Sequence, residues 1–297
     1  MKKMKKILIL GISGFAGLEI AKKLVLENKV IGTYYHNKPE IKNCELIQMD
    51  VTSNKILNSL LENKKPDLII NCVAISNIDE CEMNHELCRK INVLPTEVIV
   101  EYCKRNPKTK YVFLSSSQVF GGDKTKVGAY SKDDPCHPIN YYGKCKLECE
   151  NIIRKLKNHV IIRPCLIFGL PKKYQHKTIF NYIYDALSVG DIFTAHFDQI
   201  KSPVFVQDVA LLTKNIIEKE KTGIFHAGGK TRSIYDFTIE VAKFFSFNTN
   251  LVIIKKSEEK SYRSKNNSLD CTFTEQECGF IFKPLEESLY NIKRVII

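Results

Sequence analysis

The chain has 297 residues, 44% hydrophobic and 26% charged, which supplies a large α/β core and excludes a disordered, charge-dominated polypeptide. Its formal net charge is +12, but the lysines are scattered without a basic stripe or stacking aromatics, so no nucleic-acid surface is expected. No stretch approaches the ~20 apolar residues of a membrane helix, and eleven cysteines without a Cys-x-x-Cys or regular spacing point to reduced thiols and a cytoplasmic setting.

The chain opens with a lysine-rich run ending at Lys6, followed by Ile7–Leu10. That apolar run stops at Gly11, too short for a signal peptide and suited to a buried first strand. Short apolar runs then alternate with helix-period segments, the pattern of a doubly wound parallel sheet covered on both faces. Strands are expected at Lys6–Leu10, Lys29–Tyr34, Glu45–Gln48, Leu68–Asn71, Lys110–Ser115 and Val160–Pro164. Helices are expected at Phe15–Leu26, Lys55–Glu62, His85–Lys104 and Tyr142–Leu156. Beyond Gly169 the rhythm changes. A polar loop over Pro171–Lys177 precedes helices at Thr178–Val189, Asp208–Glu218 and Tyr235–Phe245, with a strand at Gly223–Ala227. The expected organisation is a dinucleotide-binding domain at 1–167, rejoined by 201–229, and a smaller substrate-binding lobe from 168–200 and 230–297.

Gly11-x-x-Gly14-x-x-Gly17 follows the first strand and opens a helix. Glycines there allow a tight turn and close approach of a pyrophosphate to the helix N-terminus. Ser13, Phe15 and Ala16 belong to the same turn. No acid follows the second strand to receive a ribose 2′-hydroxyl. Its place is taken by His36, Asn37 and Lys38, which suit a 2′-phosphate or else form a solvated loop, and NADPH is favoured over NADH. Asp50, with Val51, ends the third strand and either accepts from an adenine amine or caps the next turn. Cys72, Val73 and Ala74 leave room for a dinucleotide after the fourth strand.

Tyr-x-x-x-Lys occurs twice, at Tyr34…Lys38 and Tyr142…Lys146. Only the second lies at the start of a helix, where residues four apart share a face. A Tyr hydroxyl titrates near ~10, and a neighbouring ammonium favours the phenolate and lowers that value. Tyr142 would then protonate a carbonyl oxygen as hydride arrives, Ser116 would polarise the carbonyl, and Lys146 would hold the nicotinamide ribose. Cys136, His137, Cys145 and Cys149 lie within a short stretch, but core packing accounts for them and no metal is expected.

In order along the chain, these motifs resemble the extended short-chain dehydrogenase/reductases. They include Gly-Ile-Ser-Gly-Phe-Ala-Gly at 11–17, Pro66–Asn71, Ile91-Asn92-Val93, Phe113–Phe120, Asp134–Pro138 and Tyr142–Lys146. Ile162-Arg163-Pro164, Phe168-Gly169, Ser202–Ala210, Gly223–His226, Arg263–Asp270 and Lys283-Pro284-Leu285 continue the match. Within that superfamily the chain is most similar to the dTDP-4-dehydrorhamnose reductase group. The resemblance implies a Rossmann sheet and a Ser116–Tyr142–Lys146 triad. It also implies Asn92 at the cofactor, Ser117, Gln118 and Arg263 at the substrate, a nucleotide-sugar substrate, and it admits a homodimer. Ser117-Gln118 stands where the group has Asp-Tyr, and Ser264 follows Arg263 where it has Pro. The absence of an acid beside the hydroxyl argues against a 4,6-dehydratase. No Cys stands there to serve as an epimerase base, which leaves His176 as the candidate for that role. The same group resembles the β subunit of methionine adenosyltransferase, so a regulatory NADP-binding subunit and a nucleotide-sugar epimerase stand as alternatives.

Overall fold

The computed structural model describes residues 4–122, 128–258 and 262–296, so Met1–Lys3 of the opening basic run lie outside the described residues. Strands β1 (Lys6–Leu10), β2 (Lys29–Tyr34), β3 (Cys44–Gln48), β4 (Leu68–Asn71), β5 (Lys110–Leu114) and β6 (His159–Pro164) form a parallel sheet. Helices α1 (Phe15–Leu24), α2 (Asn54–Lys64), α3 (Ile78–Met83), α4 (His85–Asn92), α5 (Leu94–Arg105) and α6 (Tyr141–Ile153) connect them.

The apolar runs are continuous because both faces of each strand are covered. Ile7 and Ile9 of β1 face one side, with Ile20, Ala21 and Leu24 of α1. Leu8 and Leu10 face the other, with Leu57 and Leu61 of α2, Ile99 of α5, and Cys149 and Ile153 of α6. This period of two is repeated by Leu68/Ile70 against Ile69 and by Val160/Ile162 against Ile161.

The single helix expected over His85–Lys104 is two. Pro95 lies in the first turn of α5, where its missing N–H costs nothing and where it starts a new helix. The break falls at Val93, the residue between the two helices. Other helix ends differ from expectation by one to three residues, where capping sets the boundary. Asn140, for example, caps α6 by accepting from the Gly143 N–H at 2.7 Å.

The second half of the chain comprises β7 (Ile167–Phe168), α7 (Ile179–Ser188), β8 (Phe193–His196), β9 (Ile200–Lys201) and β10 (Val204–Phe205). It continues with α8 (Val206–Glu218), β11 (Gly223–Ala227), β12 (Arg232–Ser233), α9 (Ile234–Phe244), β13 (Val252–Lys255), α10 (Thr272–Cys278) and α11 (Leu285–Ile296). β11 pairs in parallel with β6, completing a seven-stranded sheet of order β11-β6-β5-β4-β1-β2-β3. α8 packs on α1. Phe180, Ile183, Phe237, Val241, Leu285 and Leu289 build a further core, which meets the sheet through Ala16, Phe168 and Phe205. Leu269, Cys271, Cys278 and Phe282 from the tail insert into the core of the main sheet. The doubly wound architecture is therefore present, with its reversal of strand order between β1 and β4.

Among the described residues no helix is long and apolar enough to cross a membrane, and no group of His, Cys, Asp or Glu is placed to hold a metal ion. All eleven cysteines are free thiols.

Arg163 of β6 and Glu150 of α6 form an ion pair at 2.6 Å with both side chains fully buried. Removing one member of such a pair strands the other charge in a low dielectric. Arg163→Met should lower unfolding free energy by ~3–5 kcal/mol, as measured by urea denaturation.

Candidate active site

In open α/β sheets ligands bind outside the carboxyl ends of the strands, where the strand order reverses. A cavity of about 390 Å³ opens there, lined by Gly11, Ser13, Gly14, Asp50, Val51, Cys72, Val73 and Ala74. Gly11 holds φ +74°, a conformation that costs other residues steric strain. Gly17 is required by proximity, since a Cβ there would lie 2.4 Å from the Gly11 carbonyl oxygen. Gly14 is the N-cap of α1 and makes no side-chain cap, so the first-turn N–H groups are available to an anion.

Ala16 and Gly17 are buried beneath the start of α1 rather than lining the cavity. Phe15 is directed at Gly169, where an added Cβ would meet its ring at 3.1 Å. His36, Asn37 and Lys38 do not line the cavity: the chain beyond Tyr35 runs over exposed surface, and the His36 ring rests on Tyr35 with centroids 3.9 Å apart. Asp50 caps the next turn, its Oδ1 accepting from the Thr52 N–H at 2.8 Å, and the residue also lines the cavity. Asn92 is buried and braces the loop after β4. Its Oδ1 accepts from the Ile75 N–H at 2.8 Å and its Nδ2 donates to the Ile75 carbonyl at 3.0 Å.

Thr33, Tyr34 and Tyr35 from the end of β2, Met49 and Thr52 around β3, and Leu87, Lys90 and Ile91 around α4 also form the walls. The first two groups follow from strand ends that sequence periodicity locates. The α4 residues carry no such signal, because they lie within a helix rather than at a strand end.

The catalytic candidates converge at the ends of β5 and α6. Ser116 caps a short turn, Ser117–Val119, by accepting from the Gln118 N–H at 3.2 Å. Tyr142 is 7% exposed, and the neighbouring Ser116 hydroxyl favours its ionised form. Lys146 donates to the Leu114 carbonyl at 2.8 Å and lies 4.6 Å from the Phe113 ring centroid and 5.7 Å from that of Tyr142. The start of α6 approaches the serine turn so closely that a Cβ on Gly143 would sit 2.1 Å from the Gln118 carbonyl oxygen.

The expected lowering of the Tyr142 pKa by Lys146 does not occur in this geometry. Burial dominates and raises it above the ordinary phenol value, the Ser116 hydroxyl opposing the rise. Lys146 is shifted downward by burial, and its ammonium is directed at a backbone carbonyl and ring faces instead of the phenol oxygen.

Of the expected substrate residues, Gln118 is half-buried and its Oε1 accepts from Asn140 Nδ2 at 2.9 Å. Ser117 is 2% exposed and turns away from the cleft, its Oγ accepting from Asn267 Nδ2 at 3.1 Å. Arg263 reaches across to pair with Asp79 at the start of α3. His176 is exposed on the 171–177 loop. That loop meets the crevice through Gln175, whose Nε2 donates to the Ser13 carbonyl at 2.8 Å.

The chain is similar to known proteins over most of its length. A family model described as the RmlD substrate binding domain matches residues 4–295. The dTDP-4-dehydrorhamnose reductase of Aggregatibacter actinomycetemcomitans is 28% identical over 309 residues, covering 98% of this chain and 99% of its own. The methionine adenosyltransferase 2 subunit beta of Danio rerio is 23% identical over 281 residues, covering 90% and 83% respectively. A crystal structure of a hypothetical dTDP-4-dehydrorhamnose reductase from Sulfolobus tokodaii superposes with a TM-score of 0.82 at 29% identity, covering 93% of this chain and 96% of its own.

Gly17→Ala should force α1 away from the Gly11 carbonyl, lowering stability by ~1–3 kcal/mol and weakening dinucleotide affinity. Thermal melts with and without the dinucleotide measure both effects.

Proposed function

Because the chain belongs to the RmlD substrate binding domain family, we propose that it is an NADPH-dependent reductase of a nucleotide-activated 4-keto-6-deoxy sugar. The observation that carries this reading is the Tyr142 side chain set beside Ser116 and Lys146 at the carboxyl end of a sheet whose switch point holds a crevice of about 390 Å³.

The residues present fit the cofactor. The uncapped N-terminus of α1 suits its pyrophosphate, and the end of β2 has no carboxylate to select a free ribose 2′-hydroxyl. Lys90 in the wall adds a positive charge to the crevice, which favours an anionic cofactor. NADPH, when bound, supplies a hydride to the carbonyl carbon. Ser116 donates a hydrogen bond to the carbonyl oxygen and draws electron density from the carbon. Tyr142 transfers its proton to that oxygen as the C–O double bond becomes single, leaving an alcohol and a phenolate. Lys146, held beside the Tyr142 ring, offsets the charge that develops there.

Burial that raises the Tyr142 pKa keeps the hydroxyl protonated, the form that ketone reduction consumes. Residues 1–167 and 201–229 serve the cofactor in this reading, and 168–200 with 230–297 serve the sugar nucleotide. Gln118 and Arg263 border the substrate. Eleven free thiols suit the reducing cytoplasm.

The likeness to methionine adenosyltransferase 2 subunit beta supports a second reading, an NADP-binding regulatory subunit. The assembled Ser116–Tyr142–Lys146 group favours the reductase, since a purely regulatory subunit has no use for a proton donor in that place.

Purified protein mixed with NADPH and a dTDP-4-keto-6-deoxy sugar should oxidise the cofactor. Tyr142→Phe should cut kcat by ~10²–10⁴-fold with NADPH affinity retained. Turnover undiminished in that variant would overturn the mechanism, and faster turnover with NADH would overturn the cofactor choice. Because the Tyr142 pKa lies above the ordinary value, the wild-type reduction rate should not fall through loss of the Tyr142 proton as pH rises from about 7 to about 9, as read from kcat at saturating substrate.

A further inference from the structure

Tyr142, Lys146 and Glu150 are spaced four apart on α6 and share one face. Each engages one of three consecutive residues at the end of β5. Tyr142 lies beside Ser116, Lys146 donates to the Leu114 carbonyl at 2.8 Å, and Glu150 Oε1 accepts from the Ser115 hydroxyl at 2.6 Å. The first two rungs belong to the catalytic group. The third uses residues for which the chemistry described above has no role.

Glu150 is fully buried, and its charge is fixed from several sides. Arg163 donates to it through Nε at 2.9 Å and through Nη2 at 2.6 Å, and Arg154 pairs with it at 3.1 Å. Arg163 is itself held, with its guanidinium 5.1 Å from the Phe120 ring centroid and Nη2 donating to Cys136 Sγ at 3.3 Å. Glu150 therefore cannot swing away, and the Ser115 hydroxyl is tied to a rigid anchor. Ser115 is also held from the other side, where its N–H donates to the Ile162 carbonyl at 2.7 Å. The residue that follows it is Ser116.

We infer that Glu150, anchored by Arg163, is a positioning residue that acts through the Ser115 hydroxyl to set Ser116 against Tyr142. The inference rests on the reductase reading for its kinetic consequence. A charge-assisted bond of this kind is about twice as strong as a neutral one and strongly directional. Losing it frees the Ser115 side chain and lets the catalytic turn sample positions in which Ser116 and Tyr142 no longer address the same oxygen.

Ser115→Ala removes that bond alone, because Glu150 keeps both arginines and the Ser115 N–H keeps its strand partner. Relative to wild type, kcat should fall about tenfold, while KM for the sugar nucleotide and NADPH affinity stay close to wild type and the melting temperature falls by only a few degrees, leaving the protein folded at the assay temperature. Ser115→Thr, which restores a hydroxyl, should recover most of the loss. Hydrogen exchange followed by mass spectrometry should show faster exchange across residues 116–120 in Ser115→Ala and unchanged exchange in α6.

Wild-type kcat in Ser115→Ala, a kcat loss that tracks unfolding at the assay temperature, or equal impairment of the Ala and Thr variants would each overturn the inference. If wild-type protein reduces no keto sugar, the functional reading fails by itself. The exchange experiment then still decides the positioning role, and unchanged exchange at 116–120 would refute it.

Discussion

The buried Arg163–Glu150 pair is the constraint on which the geometry of the catalytic end depends. Two fully desolvated charges are tolerable only where their hydrogen bonds are nearly complete. Completing them requires α6, β6 and the end of β5 to stand in one relative position: Glu150 must meet Arg163 from the neighbouring strand and Ser115 from the strand beyond. Once α6 is seated this way, the positions of Lys146 and Tyr142 one and two turns earlier follow from helix geometry. Gly143 then permits the close approach of the helix start to the serine turn.

A second group of contacts brings the tail to the same place. Asn140, the cap of α6, donates to the Tyr262 carbonyl at 3.2 Å. Asn267 donates to Ser117 at 3.1 Å and accepts from Lys201 Nζ at 2.6 Å. Lys201 also donates to the Ser264 carbonyl at 2.8 Å, and burial lowers its pKa to about 8. Residues more than a hundred positions apart in the chain thus support the serine turn from beneath. The tail therefore braces the serine turn, and the departure at Ser264, whose carbonyl holds Lys201, bears on the support of that turn.

Electrostatics divides the site into two regimes. The crevice end is open, with an uncapped helix N-terminus and Lys90 in its wall, where an anion is attracted with little desolvation of protein groups. The catalytic end is closed, and burial moves Tyr142 upward and Lys146 downward, each toward its uncharged form. Burial thus holds the Tyr142 phenol in its neutral, proton-bearing form.

The periodicity of the first half, the glycine turn and the Tyr142–Lys146 spacing were legible in the sequence because each depends on local geometry: alternate strand faces, a turn that only glycine fits, one helical face. Pro95 marks the break that periodicity alone runs through. What the sequence could not convey are relations between elements. The chain after Tyr35 runs over exposed surface and leaves His36–Lys38 outside the cavity lining, while α4 contributes Lys90 to it. The docking of the tail turns Ser117 inward, and the burial of Tyr142 reverses the sign of its pKa shift. Local covalent geometry and side-chain period determined the fold class and nominated the reacting residues. Their charge states, their partners and the walls around them were decided by tertiary packing, because desolvation and long-range hydrogen bonds exist only once distant segments have met.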